Sequence, residues 1–158
     1  MMRRRHVCGF SLLEVVIVVA IIAILAAIGI PRMSRGSKGA GDSALKANLS
    51  VLRNAIDLFA AEHQGTYPAV DTFSEQLTQY TNAAGTAQAT KDSTHYFGPY
   101  LRSIPPLPVG ANKGGTGIVS AYSETTTDGW IYNATTGTIT ANTSGTEKDD
   151  AGVLYTAY

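Results

Sequence analysis

The residue with the clearest chemical consequence is a single carboxylate, Glu14, in an otherwise uncharged apolar run from Phe10 to Ile30. An ionised carboxylate near the centre of a bilayer costs about 2.5 to 3.5 kcal/mol on insertion scales, and somewhat less near an interface. Glu14 is therefore expected to need a partner. The alternative is a tolerated charge, one helical turn from the membrane edge and able to reach water.

The remaining residues do not show the spacing of a catalytic or nucleotide-binding site. No nucleophile, base and orienting acid are arranged as a catalytic set, so we expect a protein that is not an enzyme. The stretch GANKGGTG is rich in glycine but lacks the GxxxxGK[ST] order of a phosphate-binding loop. His63 and His95 have no companions at metal-ligand spacing and are expected to be surface or helix-end residues.

Three acidic residues near the C-terminus, Glu147, Asp149 and Asp150, are weak candidates for calcium. Calcium takes several oxygen ligands, which carboxylates supply. The stretch does not contain a complete calcium-loop pattern, so a solvated acidic turn is the favoured interpretation. We therefore expect no cofactor and no metal, with calcium at these residues as the alternative.

Composition limits the classes of protein that need to be considered. The chain has 158 residues and a formal net charge of zero, without a basic patch beyond Arg3, Arg4 and Arg5, which argues against nucleic acid as a partner. Its one cysteine, Cys8, precedes the apolar run and excludes an intramolecular disulfide. The length fits a membrane anchor plus a small domain held together by packing.

The apolar run is long enough to cross a bilayer. A helix over residues 10–30 would span roughly 30 Å, the thickness of one hydrocarbon core. Basic residues flank both ends in similar number, so charge leaves the orientation open. A secretory signal would be cut after the run, near Ala26-Ala27, and a lipoprotein signal would need its cysteine after the run rather than at Cys8. The third interpretation is a cut between Gly9 and Phe10.

The stretch GFSLLEVVIVVAIIAILAAIGIP resembles the class III signal of the type IV pilin family, which includes pilins and the pseudopilins of type II secretion. The matching features are a short basic leader, Gly9 before the cut, Phe10 as the first mature residue, Glu14 four residues later, and Pro31. The resemblance implies that a prepilin peptidase removes residues 1–9, on the cytoplasmic side, and methylates the Phe10 amine. The methylated amine keeps its positive charge. The resemblance also implies that Glu14 pairs with this amine on a neighbouring subunit.

The segment after the run combines helix-breaking and helix-forming signals. Pro31 lacks a backbone donor, so a kink is expected there. Gly36, Gly39 and Gly41 follow. Residues 34–42 are therefore either a break or a weakly helical part of one long helix, the arrangement that the resemblance favours.

An amphipathic helix is predicted from about Ser43 to Gln64. Asp42 or Ser43 is expected to cap its start, and Gly65 its end. Apolar residues recur at steps of four and three and should face a sheet. They are Leu45, Leu49, Leu52, Ile56 and Phe59.

The last part of the chain is predicted to be a small domain. TFSEQLTQYTNAAG should form a short helix with Phe73, Leu77 and Tyr80 inward, and residues 83–93 have no defined fold. The prolines of YFGPYLRSIPPLPVG preclude a central strand. Antiparallel strands are expected in GIVSAY, GWIYN and TITAN, the last two as a hairpin, and VLYTAY is a closing strand or packs at the edge.

The predicted fold class is α+β and type IV pilin-like. A long N-terminal helix, membrane-spanning in its first half and amphipathic in its second, packs on a small C-terminal antiparallel sheet. The expected divisions are a leader (1–9), the transmembrane or filament-core helix (10–31), its amphipathic continuation after a glycine-rich break (32–64) and a globular domain (65–158).

The resemblance implies a structural subunit of a pilus-like filament, most like a major pseudopilin of type II secretion, as the stretch AIDLFAAEHQGTYP also indicates. Its implied partners are copies of itself, minor pilin-like subunits, the prepilin peptidase and an inner-membrane assembly platform with a separate ATPase. The subunit would cross the bacterial inner membrane once, with its C-terminal domain in the periplasm, and assemble into a periplasmic or surface filament.

Two alternatives remain open. The first is a type IV surface pilin for adhesion, motility or DNA uptake, although such pilins often have a C-terminal disulfide and this chain would lose Cys8 with its leader. The second is a membrane-anchored extracellular module that binds carbohydrate through Trp130 and Tyr132. For Trp130 a packing role on a strand is favoured.

Overall fold

The computed structural model describes residues 11–158, and for residues 28–38 it describes the backbone without the side chains. The predicted leader, Gly9 and Phe10 lie outside the described residues. The chain divides into two compact units, an N-terminal unit (residues 1–37) and a C-terminal unit (residues 38–158).

Three helical segments and five short strands make up the described chain. Helix α1 is Leu12–Glu62, helix α2 is Phe73–Thr78, and a 3₁₀ segment is Tyr155–Ala157. The strands are β1 (Tyr80–Thr81), β2 (Ala87–Gln88), β3 (Gly117–Val119), β4 (Asp128–Asn133) and β5 (Thr138–Ala141). The helical assignment of α1 includes Pro31 and the three glycines after it. The predicted kink at Pro31 and the predicted domain limits stay predictions.

The expected cap at Asp42 or Ser43 is wrong, because both residues lie inside α1. Helical hydrogen bonding already occupies this turn, so no free backbone N–H groups are left to cap. The Ser43 hydroxyl instead donates to the Gly39 carbonyl at 2.9 Å. The expected C-terminal cap is confirmed: Gly65 has a φ of 81° and its N–H donates to the Ala60 carbonyl at 2.8 Å.

The predicted apolar stripe of α1 forms the core of the C-terminal unit. Its five residues are at most 1 % exposed. They belong to one buried cluster with residues of α2 and of the three-stranded sheet. Helix α2 contributes Phe73 and Leu77, and the sheet contributes Trp130, Tyr132 and Ile139. Each such apolar side chain stabilises the fold by about 1.5 to 3 kcal/mol relative to an exposed position, so this stripe holds residues 45–59 of α1 on the rest of the C-terminal unit.

The predicted hairpin is confirmed as β4 and β5, which pair antiparallel from Trp130 and Ala141 to Asn133 and Thr138. The Asn133 side chain closes its turn by accepting the Thr135 N–H at 2.9 Å. The fold class predicted from sequence is therefore confirmed, a long helix followed by a small sheet.

One pairing differs from the expected antiparallel arrangement: β3 lies parallel to β4. Residues 120–127 carry the chain back to start β4 beside the start of β3. The Thr127 carbonyl accepts the N–H groups of Thr116 and Gly117 at 3.0 and 2.8 Å, which fixes that return. Alternation of apolar and polar residues gives the face of a strand but not its direction.

The C-terminal segment packs at the edge and does not add a strand. Lys148 and Leu154 form an isolated bridge, and Tyr155, in the 3₁₀ segment, is 5 % exposed. In the described residues, no helix combines the length and the apolar character that crossing a membrane requires.

Candidate assembly site

Glu14 lies in the first turn of α1 and its side chain is exposed. The Ser11 carbonyl accepts the N–H groups of Glu14 and Val15 at 3.0 and 3.2 Å and so starts the helix. Negative charge is favourable near the N-terminus of a helix, because the backbone N–H groups there are unpaired. Among the described side chains, no cationic group forms an ion pair with the Glu14 carboxylate.

An apolar surface surrounds Glu14 on the same helical segment. The large apolar side chains between positions 12 and 25 are 49 to 83 % exposed. They are Leu12, Leu13, Val15, Val16, Ile17, Val18, Val19, Ile21, Ile22, Ile24 and Leu25. Contiguous exposed apolar area of this extent marks a surface that packs against lipid or other protein chains.

The C-terminal unit has a second exposed apolar feature on α1. Val51 and Leu58 are 48 and 51 % exposed. With Ala47, Asn54 and Ala61, also exposed, they recur at steps of four and three. We call these five residues the outer strip. It is displaced by two residues, about 200° around the helix, from the buried stripe and therefore faces away from the core.

Charged residues of α1 hold the end of the chain on this helix. Arg53 donates to the backbone oxygens of Ile139 and Tyr158 at 3.2 and 2.6 Å. The Lys46 ammonium lies 4.7 Å from the centre of the Tyr158 ring. The Asp42 carboxylate accepts the Tyr155 hydroxyl at 2.7 Å. These contacts leave the outer strip uncovered within the described residues.

The three calcium candidates have protein partners for their carboxylates or backbone. Glu147 accepts the N–H groups of Ala111 and Ser144, both at 2.8 Å. Asp149 accepts the Val153 N–H at 2.7 Å and the Tyr158 hydroxyl, while the Asp150 N–H donates to Asp42 at 3.2 Å. Within the part of the chain that is described, no group of three or more acidic, histidine or cysteine side chains is placed to hold a metal. Calcium at these residues stays a prediction, for isothermal titration of the full chain to test.

Asp149 gives a pH-dependent prediction. The Tyr158 hydroxyl, followed by backbone N–H groups, lowers the pKa of Asp149. Since the folded-state pKa lies below that of the unfolded chain, the stabilisation is present above pH 4 or so and is lost as pH falls through the lower folded value. Asp149→Asn should therefore lower the unfolding temperature at pH 7, and the difference from the unchanged protein should shrink towards pH 2.

Thermal unfolding of the full chain in detergent, followed by circular dichroism at several pH values, measures this difference. Asp71→Asn, at an exposed position, is the matched control and should leave the unfolding temperature unchanged at pH 7. A constant difference between Asp149→Asn and the unchanged protein from pH 7 to pH 2 would contradict the prediction.

Trp130 and Tyr132 are packing residues. For Trp130 this is the role that the sequence favoured. Both are 0 % exposed. The Trp130 indole N–H donates to the Pro105 carbonyl at 2.8 Å, and the Tyr132 hydroxyl donates to the Pro68 carbonyl at 3.1 Å. Since a sugar stacks on an exposed aromatic face, these two rings do not form a carbohydrate platform.

Two polar residues are buried although neither was expected to be: Asp42, expected as a helix cap, and His63, expected at the surface or at the helix end, where it does lie. Asp42 is 7 % exposed and His63 is 4 % exposed. Position 42 lies three residues before Leu45, and position 63 four residues after Phe59. Both therefore extend the buried stripe, and this spacing was the signal that could have located them.

Comparison with known proteins supports a pilin-like chain. The prokaryotic N-terminal methylation motif matches residues 4–30. The chain is 28 % identical over 109 residues to the type II secretion system core protein G of Aeromonas hydrophila, which covers 69 % of this chain and 72 % of that protein. No solved structure matches the chain. The predicted resemblance to type IV pilin-like proteins, and to pseudopilins among them, is confirmed.

Proposed function

We propose that this pilin-like chain is a pseudopilin, a structural subunit whose N-terminal helix assembles with other copies into a filament that drives protein export across the outer membrane. The observation that carries the proposal is the exposed apolar surface of residues 12–25 with Glu14 in its first turn. The methylation motif that matches over the same residues supports it.

The proposed assembly step is a charge pairing. After removal of residues 1–9 the new Phe10 amine is positive, and methylation preserves that charge. Glu14 of one subunit pairs with the amine of the next, which reduces the cost of an acid in an apolar environment. The surrounding apolar side chains then pack between subunits at about 25 cal/mol per Å² buried. The pairing fixes the axial position of each added subunit.

The proposed setting is the one that the resemblance to pilin-like proteins implies. The subunit waits in the inner membrane with its C-terminal unit in the periplasm, after processing by a prepilin peptidase. An assembly platform with a separate ATPase adds it to the filament together with minor pilin-like subunits. The similarity to a type II secretion core protein supports this setting.

The second candidate is a surface pilin. The one cysteine, Cys8, lies in the predicted leader, so the processed chain would have no disulfide, which favours the pseudopilin. Deletion of the encoding gene separates the two functions. A pseudopilin is expected to be needed for secretion of outer-membrane-crossing proteins, with no loss of long surface fibres under electron microscopy. Loss of fibres with normal secretion would contradict the proposal.

The outer strip gives a prediction for assembly. Leu58→Glu should reduce incorporation into filaments about tenfold. It places a charge on apolar surface that subunit packing would bury, and the lost burial of the leucine side chain costs about 1 to 2 kcal/mol. The unfolding temperature should stay unchanged, since Leu58 is 51 % exposed in the single chain. Quantitative immunoblotting of sheared filaments from a co-expression strain measures incorporation.

Val153→Glu is the matched control, because Val153 is also exposed, at 43 %, but lies off the helix. It should assemble as the unchanged chain does. Equal incorporation of the Leu58→Glu and Val153→Glu variants would show that the outer strip does not contact other subunits.

A further inference from the structure

His63 follows the last residue of α1 and is one of the buried polar residues of the C-terminal unit. Its ring stacks on Phe59 with the ring centres 3.9 Å apart and the planes 9° from parallel. Phe97 and Tyr100 contact it from the side, with ring centres at 5.0 and 6.5 Å. His63 is only 4 % exposed, and both of its ring nitrogens have partners in the protein.

The two nitrogens of His63 each face a carbonyl oxygen. Nδ1 lies 2.8 Å from the Phe59 oxygen, and Nε2 lies 3.0 Å from the Asn82 oxygen. A carbonyl oxygen only accepts, so each contact needs an N–H. A neutral imidazole has one N–H and an imidazolium has two. Only the protonated ring therefore donates to both carbonyls.

A third group offers the neutral ring an alternative. The Thr81 hydroxyl oxygen lies 3.1 Å from Nε2 of His63. A hydroxyl can donate to an unprotonated nitrogen, which the Asn82 carbonyl cannot do. The protonation state of the ring thus decides which of these neighbours satisfies Nε2.

We propose that His63 is a proton-dependent latch between the end of α1 and the turn at residues 82–86. When the ring is protonated, Nε2 donates to the Asn82 carbonyl and holds the turn. When the ring loses its Nε2 proton, Nε2 accepts the Thr81 hydroxyl proton in a hydrogen bond, and the Asn82 carbonyl loses its tie to the helix. The proton released goes to solvent. This latch does not depend on the proposed export function.

The turn that the latch controls has few other ties to α1. The Asn82 carbonyl also accepts the Gly85 N–H at 2.9 Å, within the turn itself. The Gln76 side chain holds the Gly85 carbonyl at 2.8 Å, from α2. The turn forms one wall of a cavity of about 320 Å³ that Tyr67 and Gln64 also line. Release of the latch would loosen that wall.

The titratable groups nearest the ring are Glu62, Tyr100 and Tyr67. Glu62, its neighbour on α1, accepts the Tyr100 hydroxyl at 2.6 Å. Burial, then this hydrogen bond, raises the pKa of Tyr100, so the phenol stays neutral. Tyr67 is the other titratable residue of the cavity wall. The carbonyl-rich end of a helix and the face of Phe59 both attract a cation.

Hydrogen exchange of the full chain in detergent micelles tests the latch at pH 5 and pH 8, after correction for intrinsic rates. We expect the Gly85 amide to be about five- to tenfold better protected at pH 5 than at pH 8, because the net contribution of one hydrogen bond corresponds to about that factor. Thr81→Val should enlarge this pH effect, because the neutral ring then has no donor for Nε2. His63→Gln should remove it, whereas His95→Gln, at the other described histidine, should not.

Nuclear magnetic resonance of chains with ¹⁵N-labelled histidine gives a second readout that does not need the His63→Gln variant to fold. The His63 signals should show two protonated nitrogens at pH 5 and an unprotonated Nε2 at pH 8. Protection of Gly85 that is equal at both pH values, or a ring whose Nε2 keeps its proton at pH 8, would overturn the proposal.

Discussion

Glu14→Ala is expected to leave processing and membrane insertion intact and to reduce incorporation into filaments about 100-fold. The variant removes the only described acid within the exposed apolar surface of residues 12–25. Without it, the Phe10 amine of the neighbouring subunit is left as an unpaired charge in an apolar environment, which costs about 2.5 to 3.5 kcal/mol on insertion scales. Co-expression with the unchanged chain, followed by immunoblotting of sheared filaments, measures the incorporation.

Conservative variants at the same position separate charge from shape. Glu14→Gln keeps the size of the side chain and loses the charge, so it should assemble as poorly as Glu14→Ala. Glu14→Asp keeps the charge and should recover part of the incorporation. Glu75→Ala, at an exposed carboxylate of the C-terminal unit, is the matched control and should assemble normally. Normal incorporation of Glu14→Gln would contradict the charge-pairing mechanism.

Gly129→Ala is expected to lower the unfolding temperature of the C-terminal unit by about 10 °C. A Cβ on Gly129 would overlap the carbonyl oxygen of Gly115 and lie 2.7 Å from its carbonyl carbon. That carbonyl is fixed by the Leu107 N–H, which donates to it at 2.9 Å, so the backbone has little room to move. Overpacking of this kind costs about 3 kcal/mol, and it adjoins the buried Trp130.

Thermal unfolding followed by circular dichroism measures the loss. Gly145→Ala is the matched control, because a Cβ there would meet no atom within 4 Å. Its unfolding temperature should lie within 2 °C or so of the unchanged chain. Equal unfolding temperatures for the two variants would contradict the close approach of Gly129 to the Gly115 carbonyl.

The parts of the fold that follow from local patterns could be predicted from the sequence. The spacing from Leu45 to Phe59 located the buried face of α1, and turn-forming residues located the hairpin of β4 and β5. The direction of β3 could not be predicted, because it depends on how residues 120–127 return to the sheet. Residues 83–93 gave no pattern, and the structure places β2 there, paired with β1.

The assembly site was predictable for a different reason. An acid inside an apolar run is costly when that run lies in lipid or is buried in protein, so the chemistry of Glu14 could be recognised without a structure. Its proposed partner is an amine that exists only after cleavage and belongs to another subunit. The spacing of His63 after Phe59 could have indicated its burial, whereas its contacts with Asn82 and Phe97 could not be predicted because those residues are distant in sequence.

The central claim is that the chain is cut between Gly9 and Phe10 and assembles through the new amine. Mass spectrometry of the N-terminal peptide from sheared filaments tests it most directly. The account predicts a peptide that begins at Phe10 with one added methyl group on its amine. A peptide that begins at Met1 or Met2 in assembled material would contradict it.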